Sequence, residues 1–196
     1  MFKLGLTGNI GCGKSSVSKE LEKRGAHIID ADLISREIYN YEDVMNDMRE
    51  FFPEAVIGNE IDRKKLGEIV FSDSERLEKL NEITHGKIRS IVVERMKKYE
   101  DTDDLVVVDA ALLFEAGFEA LVDKVVVVYC KEREQLKRIV LRDDITKDEA
   151  MKRIDSQMSQ KDKVNMADYV IDNSVSRAEL NSSVIKLIKK IREWMM

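Results

Sequence analysis

The run Gly8-Asn9-Ile10-Gly11-Cys12-Gly13-Lys14-Ser15 constrains this chain more than any other stretch, because it satisfies G-x-x-x-x-G-K-[ST] in a telling place. Before it stands "FKLGLT" (2–7), a short β-capable run. After it comes "SSVSKELEKRG" (15–25), with Val17 and Leu21 at helical spacing and Gly25 as a stop. Strand, glycine loop and helix in that order form a phosphate cradle: glycines let the backbone approach, and loop amides and the helix N-terminus attract the anion. Lys14 reaches the β/γ oxygens and the Ser15 hydroxyl suits Mg²⁺. A dinucleotide-type reading also begins well, with Gly11-Cys12-Gly13 as G-x-G and Asp30 or Asp32 at ribose-binding distance. It fails at Ser16, which replaces the third glycine, and it leaves Lys14-Ser15 without a duty. A nucleoside triphosphate is the expected ligand.

Four further runs, "AHIID" (26–30), "LVVVD" (105–109), "KVVVVYC" (124–130) and "DYVID" (168–172), join the first as strands. They are mostly Val- and Ile-rich, alternate weakly and are separated by helical segments, so the expected fold is α/β: a three-layer P-loop NTPase sandwich on a five-stranded, mainly parallel sheet. A length of 196 residues suits a single domain. No apolar run approaches the roughly 20 residues of a membrane span, and no secretory signal opens the chain, so a cytoplasmic protein without a membrane role is expected. A net charge of −5 argues against a general grip on nucleic acid. Cys12 and Cys130 lie far apart in sequence and outside metal-ligand spacing, so two reduced thiols are expected.

Between 33 and 104 the strand–helix rhythm breaks. Apolar periodicity predicts helices over 42–52, 63–71 and 74–99, with "FFPEAVIGNEID" (51–62) as a turn-rich connection. The expected organisation is one domain, 1–196, with its core at 1–37 and 102–196 and a helical substrate-binding insertion at 38–101. Residues 131–163 are helical and charged, with Arg138 and Arg142 one turn apart; they are either an ordinary solvated face or, in a kinase, a lid over 138–163. A last helix near 176–196 presents Val184, Ile185, Leu187, Ile188, Ile191 and Trp194 as a core stripe.

Three carboxylates end strands or follow them closely. Asp109 closes "LVVVD", where a carboxylate helps position Mg²⁺ or simply makes a turn. Asp30 and Asp32 lie at the carboxyl end of the second strand, and Asp32 has two readings: a base accepting a proton from an incoming hydroxyl, or the cap of a helix beginning at Leu33. The chain lacks N-K-x-D and D-x-x-G, which disfavours a signalling GTPase, and it lacks the L-S-G-G-Q of transporter ATPases. A small kinase fits best. Another nucleotide kinase, or a nucleotide-binding switch without catalysis, stays open at this point.

Taken together, "LTGNIGCGKSS" (6–16), "IIDADLISR" (28–36), "IDRKKLGEIVF" (61–71), "LEKLNEITHGKI" (77–88), "ALLFE" (111–115), "EQLKRIVLRDD" (134–144) and "ADYVIDN" (167–173) resemble the dephospho-CoA kinases, in order and over nearly the whole chain. The resemblance implies an ATP-dependent phosphotransferase acting on the ribose 3′-hydroxyl of dephospho-CoA. It implies that Gly11, Cys12, Gly13, Lys14, Ser15 and Ser16 hold ATP, that Asp32 is the general base, and that Arg138 neutralises the transferring phosphoryl, with Arg142 nearby. Arginine suits that task because its fork pairs two phosphate oxygens. Asp30, Arg63 and His85 become candidate dephospho-CoA contacts, and Asn173 is expected near the adenine. Departures are few: His85-Gly86 stands where the family has His-Pro, Ala111-Leu112-Leu113 where it has Pro-Leu-Leu, and Asn9, Cys12 and Ser16 where Gly, Ser and Thr are usual. The insertion also lacks the Gly/Pro-rich turn expected after its first helix.

Overall fold

In a computed structural model, which describes residues 1–174 and 177–196, each of the five apolar runs forms a strand. In chain order the elements are β1 (Phe2–Thr7), α1 (Lys14–Glu22), β2 (His27–Asp30), α2 (Ala31–Glu37), α3 (Glu42–Phe51), β3 (Val56–Ile57), β4 (Glu60–Ile61), α4 (Arg63–Ser72), α5 (Ser74–Lys97), β5 (Leu105–Asp109), β6 (Lys124–Tyr129), α6 (Glu132–Asp143), α7 (Lys147–Asp155), α8 (Gln160–Asn165), β7 (Tyr169–Asp172) and α9 (Arg177–Met195). The chain divides into two compact units, one of residues 1–30 with 96–196 and one of residues 31–95.

The first unit holds a sheet of order β2-β5-β1-β6-β7, and all four strand pairings are parallel. β1 is therefore central, with β5 and β6 as neighbours, and the chain's crossovers diverge from it. Such a switch point opens a crevice at the carboxyl ends of the strands, where open α/β sheets bind ligands. The register brings those ends level: Leu6 and Asp30 both pair with Asp109, and Thr7 pairs with Val127. On one face Leu4, Leu6, Val107, Val126, Val128 and Ile171 pack with Val17 and Leu21 of α1 and Leu180, Val184, Leu187 and Ile191 of α9. Burial on this scale is the main stabilising term for the unit.

The stripe on α9 is narrower than its sequence suggests. Ile185 is 44% exposed, because the buried positions 180, 184, 187 and 191 advance by three or four residues and 185 falls off that line. Trp194 stacks on Phe2 with ring centroids 6.4 Å apart and meets Tyr169 edge-on. The expected start of this helix at 176 lies outside the described residues. Residues 131–163 are three helices: Asp144 (φ 52°) ends α6 in a left-handed turn, and Thr146 with Glu149 forms a reciprocal capping box that starts α7. No described helix is long and apolar enough to cross a membrane.

The second unit is helical, with buried Ile34, Ile38, Val44, Met45, Met48, Phe52, Leu66 and Val92. The 51–62 segment has more order than a turn-rich connection: a 3₁₀ turn at Pro53–Ala55 leads into the β3–β4 hairpin, whose turn contains Gly58 at φ +62°. Asp62 caps α4 by accepting from the amides of Lys64 and Lys65. α2 begins directly after β2, at Ala31, so Asp32 lies in its first turn and not at its cap. His85 sits inside α5, which runs on through Gly86.

Candidate active site

The glycine loop leaves β1 and enters α1 through Gly13, whose φ of +88° an L side chain rarely adopts. Space forbids a side chain there as well: a Cβ on Gly13 would stand 2.1 Å from Asn173 Nδ2, and one on Gly11 would stand 2.7 Å from Ile139 Cγ1. The loop thus needs glycine both for its turn and for the close approach of β7's end and α6.

Polar side chains from the C-terminal half hold the loop from outside. Asn173 Nδ2 donates to the Cys12 carbonyl at 2.7 Å, and the Arg138 guanidinium donates to the Asn173 carbonyl at 2.8 Å. Gln135 Nε2 donates to the Ile10 carbonyl, the Ile10 amide donates to Gln157 Oε1, and Asn9 Nδ2 donates to the Met158 carbonyl, each at 2.8 Å. Gln160 Nε2 donates to Gln135 Oε1 at 2.8 Å, while its Oε1 accepts from the Cys130 amide at 3.2 Å and the Cys12 thiol at 3.1 Å. Gln135 is fully buried, so these bonds satisfy groups that burial would otherwise penalise.

The cation and the carboxylate of the site meet directly. Lys14 Nζ is ion-paired with Asp109 Oδ1, and Asp109 is 3% exposed. Beyond Asp109, the Ala111 carbonyl accepts from Thr7 Oγ1 at 3.2 Å and from Lys163 Nζ at 2.7 Å. Lys163 is fully buried and pairs with Glu115 at 2.9 Å, whose carboxylate also accepts from the Met158 amide at 2.9 Å. One buried lysine therefore ties the loop after β5 to the segment that grips Asn9 and Ile10.

The expected site residues separate into those drawn together and those placed elsewhere. Gly11 to Ser16, Asp109, Arg138 and Asn173 converge on the loop, and Asp30 ends β2 opposite Asp109. Arg142 turns to Asp143, with Nε and Nη2 at 2.7 and 3.0 Å, and holds that carboxyl below its usual range with help from Arg153. In the 31–95 unit, Asp32 is in α2, and Arg63 opens α4, donates to the Arg36 carbonyl at 3.1 Å and lies over the Tyr39 ring. A cleft of about 400 Å³ in that unit is lined by Tyr39, Asn40, Met45, Arg49 and Asn59. His85 is half-buried in α5, and burial pushes its pKa down. Cys12 and Cys130, distant in sequence, are buried free thiols with sulfurs 3.3 Å apart.

Sequence reasoning missed Gln135, Gln157, Gln160 and Lys163. All sit in a charged stretch where buried and solvated polar residues look alike, and only helix periodicity next to Arg138 could have flagged Gln135.

The family model for dephospho-CoA kinase matches residues 2–179. A dephospho-CoA kinase of Listeria monocytogenes serotype 4b (strain F2365) is 39% identical over 191 residues, covering 95% of this chain and 96% of the relative. The chain belongs to the dephospho-CoA kinase family. Among solved structures, the dephospho-CoA kinase from Campylobacter jejuni matches with a TM-score of 0.74 at 33% identity, covering 99% of this chain and 98% of that one. The shikimate kinase from Bacteroides thetaiotaomicron matches at a TM-score of 0.55 and 15% identity, with 97% and 98% coverage, a likeness of fold alone. Within the dephospho-CoA kinase fold, the five-stranded parallel sheet with flanking helices is thus the frame of a P-loop kinase.

Proposed function

We propose that this chain transfers the γ-phosphoryl group of ATP to the ribose 3′-hydroxyl of dephospho-CoA, giving coenzyme A and ADP. The observation that carries the reading is the dephospho-CoA kinase match over residues 2–179, which takes in the phosphate loop and the "DAD" of residues 30–32 at the end of β2.

Residues Gly11 to Ser16 wrap the triphosphate with backbone amides, and Lys14 exchanges its carboxylate partner Asp109 for the β/γ oxygens. Arg138, anchored through the Asn173 carbonyl, neutralises charge on the transferring phosphoryl. Asn173 serves first as a brace of the loop through Cys12, and its contact with adenine rests on the family motif. Asp32 takes the proton of the attacking hydroxyl, a step that contributes ~10²–10⁴-fold in such reactions. Asp30, Arg63 and His85 contact dephospho-CoA, Arg142 works from the lid over 138–163, and the insertion around 38–101 carries the acceptor.

Ser15 and Asp109 fit Mg²⁺, since both offer hard oxygen donors at the loop. No group of three or more His, Cys, Asp or Glu able to hold a metal occurs among the described residues, which suits an ion bound largely through nucleotide phosphates and water. When bound, Mg²⁺ supplies charge neutralisation to the phosphate oxygens.

The test incubates the protein with MgATP and, in separate reactions, dephospho-CoA, AMP, uridine or shikimate, following ADP and the acceptor's mass. Dephospho-CoA alone should gain a phosphoryl group. Turnover on AMP or uridine only would mean a different nucleotide kinase, and no acceptor-dependent ADP would mean a binding switch.

A further inference from the structure

Cys12 and Cys130 stand 118 residues apart in the chain, yet their sulfurs lie 3.3 Å apart in the interior. Cys12 is the central residue of the phosphate loop. Cys130 follows the last residue of β6, two positions before α6 begins its approach to the loop. The same atom, Gln160 Oε1, accepts from the Cys12 thiol and the Cys130 amide, so both cysteines are held by one side chain. No other described cysteine exists to compete.

We propose that Cys12 and Cys130 are a redox-modification site: hydrogen peroxide converts them to an intramolecular disulfide that distorts the phosphate loop and turns the enzyme off, and thiol reductants turn it on. The size of the oxidant follows from burial, since both thiols have no exposed surface and only a small peroxide can reach them as the loop breathes.

The pair is asymmetric in a way that assigns the two chemical roles. Sharing a hydrogen bond with Cys12 pushes the Cys130 thiol below its ordinary value, with the Arg138 guanidinium acting in the same direction. The same contact, together with burial, pushes Cys12 up. Cys130 is therefore the thiol that meets the peroxide first, losing its proton as it attacks, and Cys12 is the resolving thiol. The Cys130 sulfur attacks one peroxide oxygen; an S–O bond forms, the O–O bond breaks, and hydroxide leaves and takes up the Cys130 proton as water. The Cys12 sulfur then attacks the sulfenic sulfur; an S–S bond forms, the S–O bond breaks, and a second water departs with the Cys12 proton. The two thiols lose two electrons, and one peroxide gains them.

The functional consequence is geometric. Bonding requires the sulfurs to close from 3.3 Å to about 2.05 Å. On the loop side that movement pulls on a residue whose carbonyl is held by Asn173, whose amide donates to the Asn9 carbonyl at 3.0 Å, and which adjoins the left-handed Gly13. Amides aimed at phosphate tolerate little displacement: about 1 Å costs on the order of a hundred-fold in a positioned reaction.

The experiment treats the reduced full chain with hydrogen peroxide and reads three outputs. Intact mass should fall by two hydrogens, and a non-reducing peptide map should join the residue-12 and residue-130 peptides. Binding of a fluorescent ATP analogue should weaken about ten-fold or more, in step with the cross-link, and dithiothreitol should restore both. Cys130→Ala should keep its basal nucleotide binding and show no reversible loss. Should that variant fold poorly, Cys130→Ser supplies the second cross-link-deficient protein. Because mass and nucleotide binding are read without any acceptor, the outcome is separate from whether dephospho-CoA is the substrate. Absence of the 12–130 cross-link, a cross-link with undiminished nucleotide binding, or equal reversible loss in Cys130→Ala would each overturn the proposal.

Discussion

Lys14 and Asp109, 95 residues apart in the chain, form an ion pair whose side chains are only 13% and 4% exposed. The pair joins the phosphate loop to the carboxyl end of β5. Asp109→Asn removes the charge that Lys14 meets there, and the ligand-free protein should lose about 1–3 kcal/mol of stability. ATP offers Lys14 other oxygens, so the difference in Tm between variant and wild type should narrow at saturating ATP without Mg²⁺. Thermal unfolding with and without ATP checks this; an equal gap in both would show that Lys14 does not change partner.

Asp32 lies in the first turn of α2, one position past the helix's first residue. Asp32→Asn should reduce kcat by roughly 10² or more while nucleotide affinity stays near that of the wild type. Steady-state kinetics with dephospho-CoA, beside a nucleotide titration, separate the two effects. Full activity in the variant removes Asp32 from the reaction.

Asn173 braces the loop through the Cys12 carbonyl and crowds Gly13. Asn173→Ala should cost ~1 kcal/mol and raise KM for ATP more than it lowers kcat. Gly13→Ala should be far more damaging, since its Cβ meets Asn173 Nδ2 at 2.1 Å and its φ is +88°. Combining the two relieves the collision but not the backbone strain, so the double variant should recover only part of the stability lost in Gly13→Ala. Chemical denaturation of the four proteins measures the coupling.

Gly86 lies inside the 24-residue α5, with open space where a Cβ would sit. Gly86→Ala should raise stability by about 0.5–1 kcal/mol through helix propensity alone. Gly86→Pro, which restores the His-Pro of the family resemblance, should cost ~3 kcal/mol in a helix that stays continuous here. Tm values of the two variants should move in opposite directions.

His85 has its pKa pushed down by burial from an ordinary 6.5. Below that value the unfolded chain binds the proton more readily than the folded one. Stability contributed by the neutral form is present above about 6.5 and is lost as pH falls toward the folded value. His85→Gln should lower the dependence of Tm on pH between pH 5 and 7, and an unchanged slope would assign the pH dependence to other groups.

Much of the fold was legible because its signals are local. A Val-rich run such as 105–109 reads as a buried strand wherever it packs. The glycine loop was legible because phosphate binding needs a fixed local order of glycine, lysine and hydroxyl. Boundaries were less so: a cap stayed one of two readings for Asp32 because the residues at 31 and 33 do not reveal where helical backbone begins, and Ile185 looked buried because a stripe's width depends on what packs against it. Gln135 and Lys163 were hidden among solvated polar residues, since burial of a polar group leaves no mark on composition.

By itself the sequence determined the parallel α/β frame, the phosphate loop and membership of a kinase family, because apolar periodicity and a contiguous motif are properties of short segments. Only the tertiary structure decided which distant groups share a few ångströms. It set Asp109 on Lys14, Asn173 and Arg138 behind Cys12, and the Cys130 sulfur against that of Cys12. Those meetings follow from strand order and register, which place the ends of β1, β5, β6 and β7 along one edge, and no local run of residues encodes that adjacency.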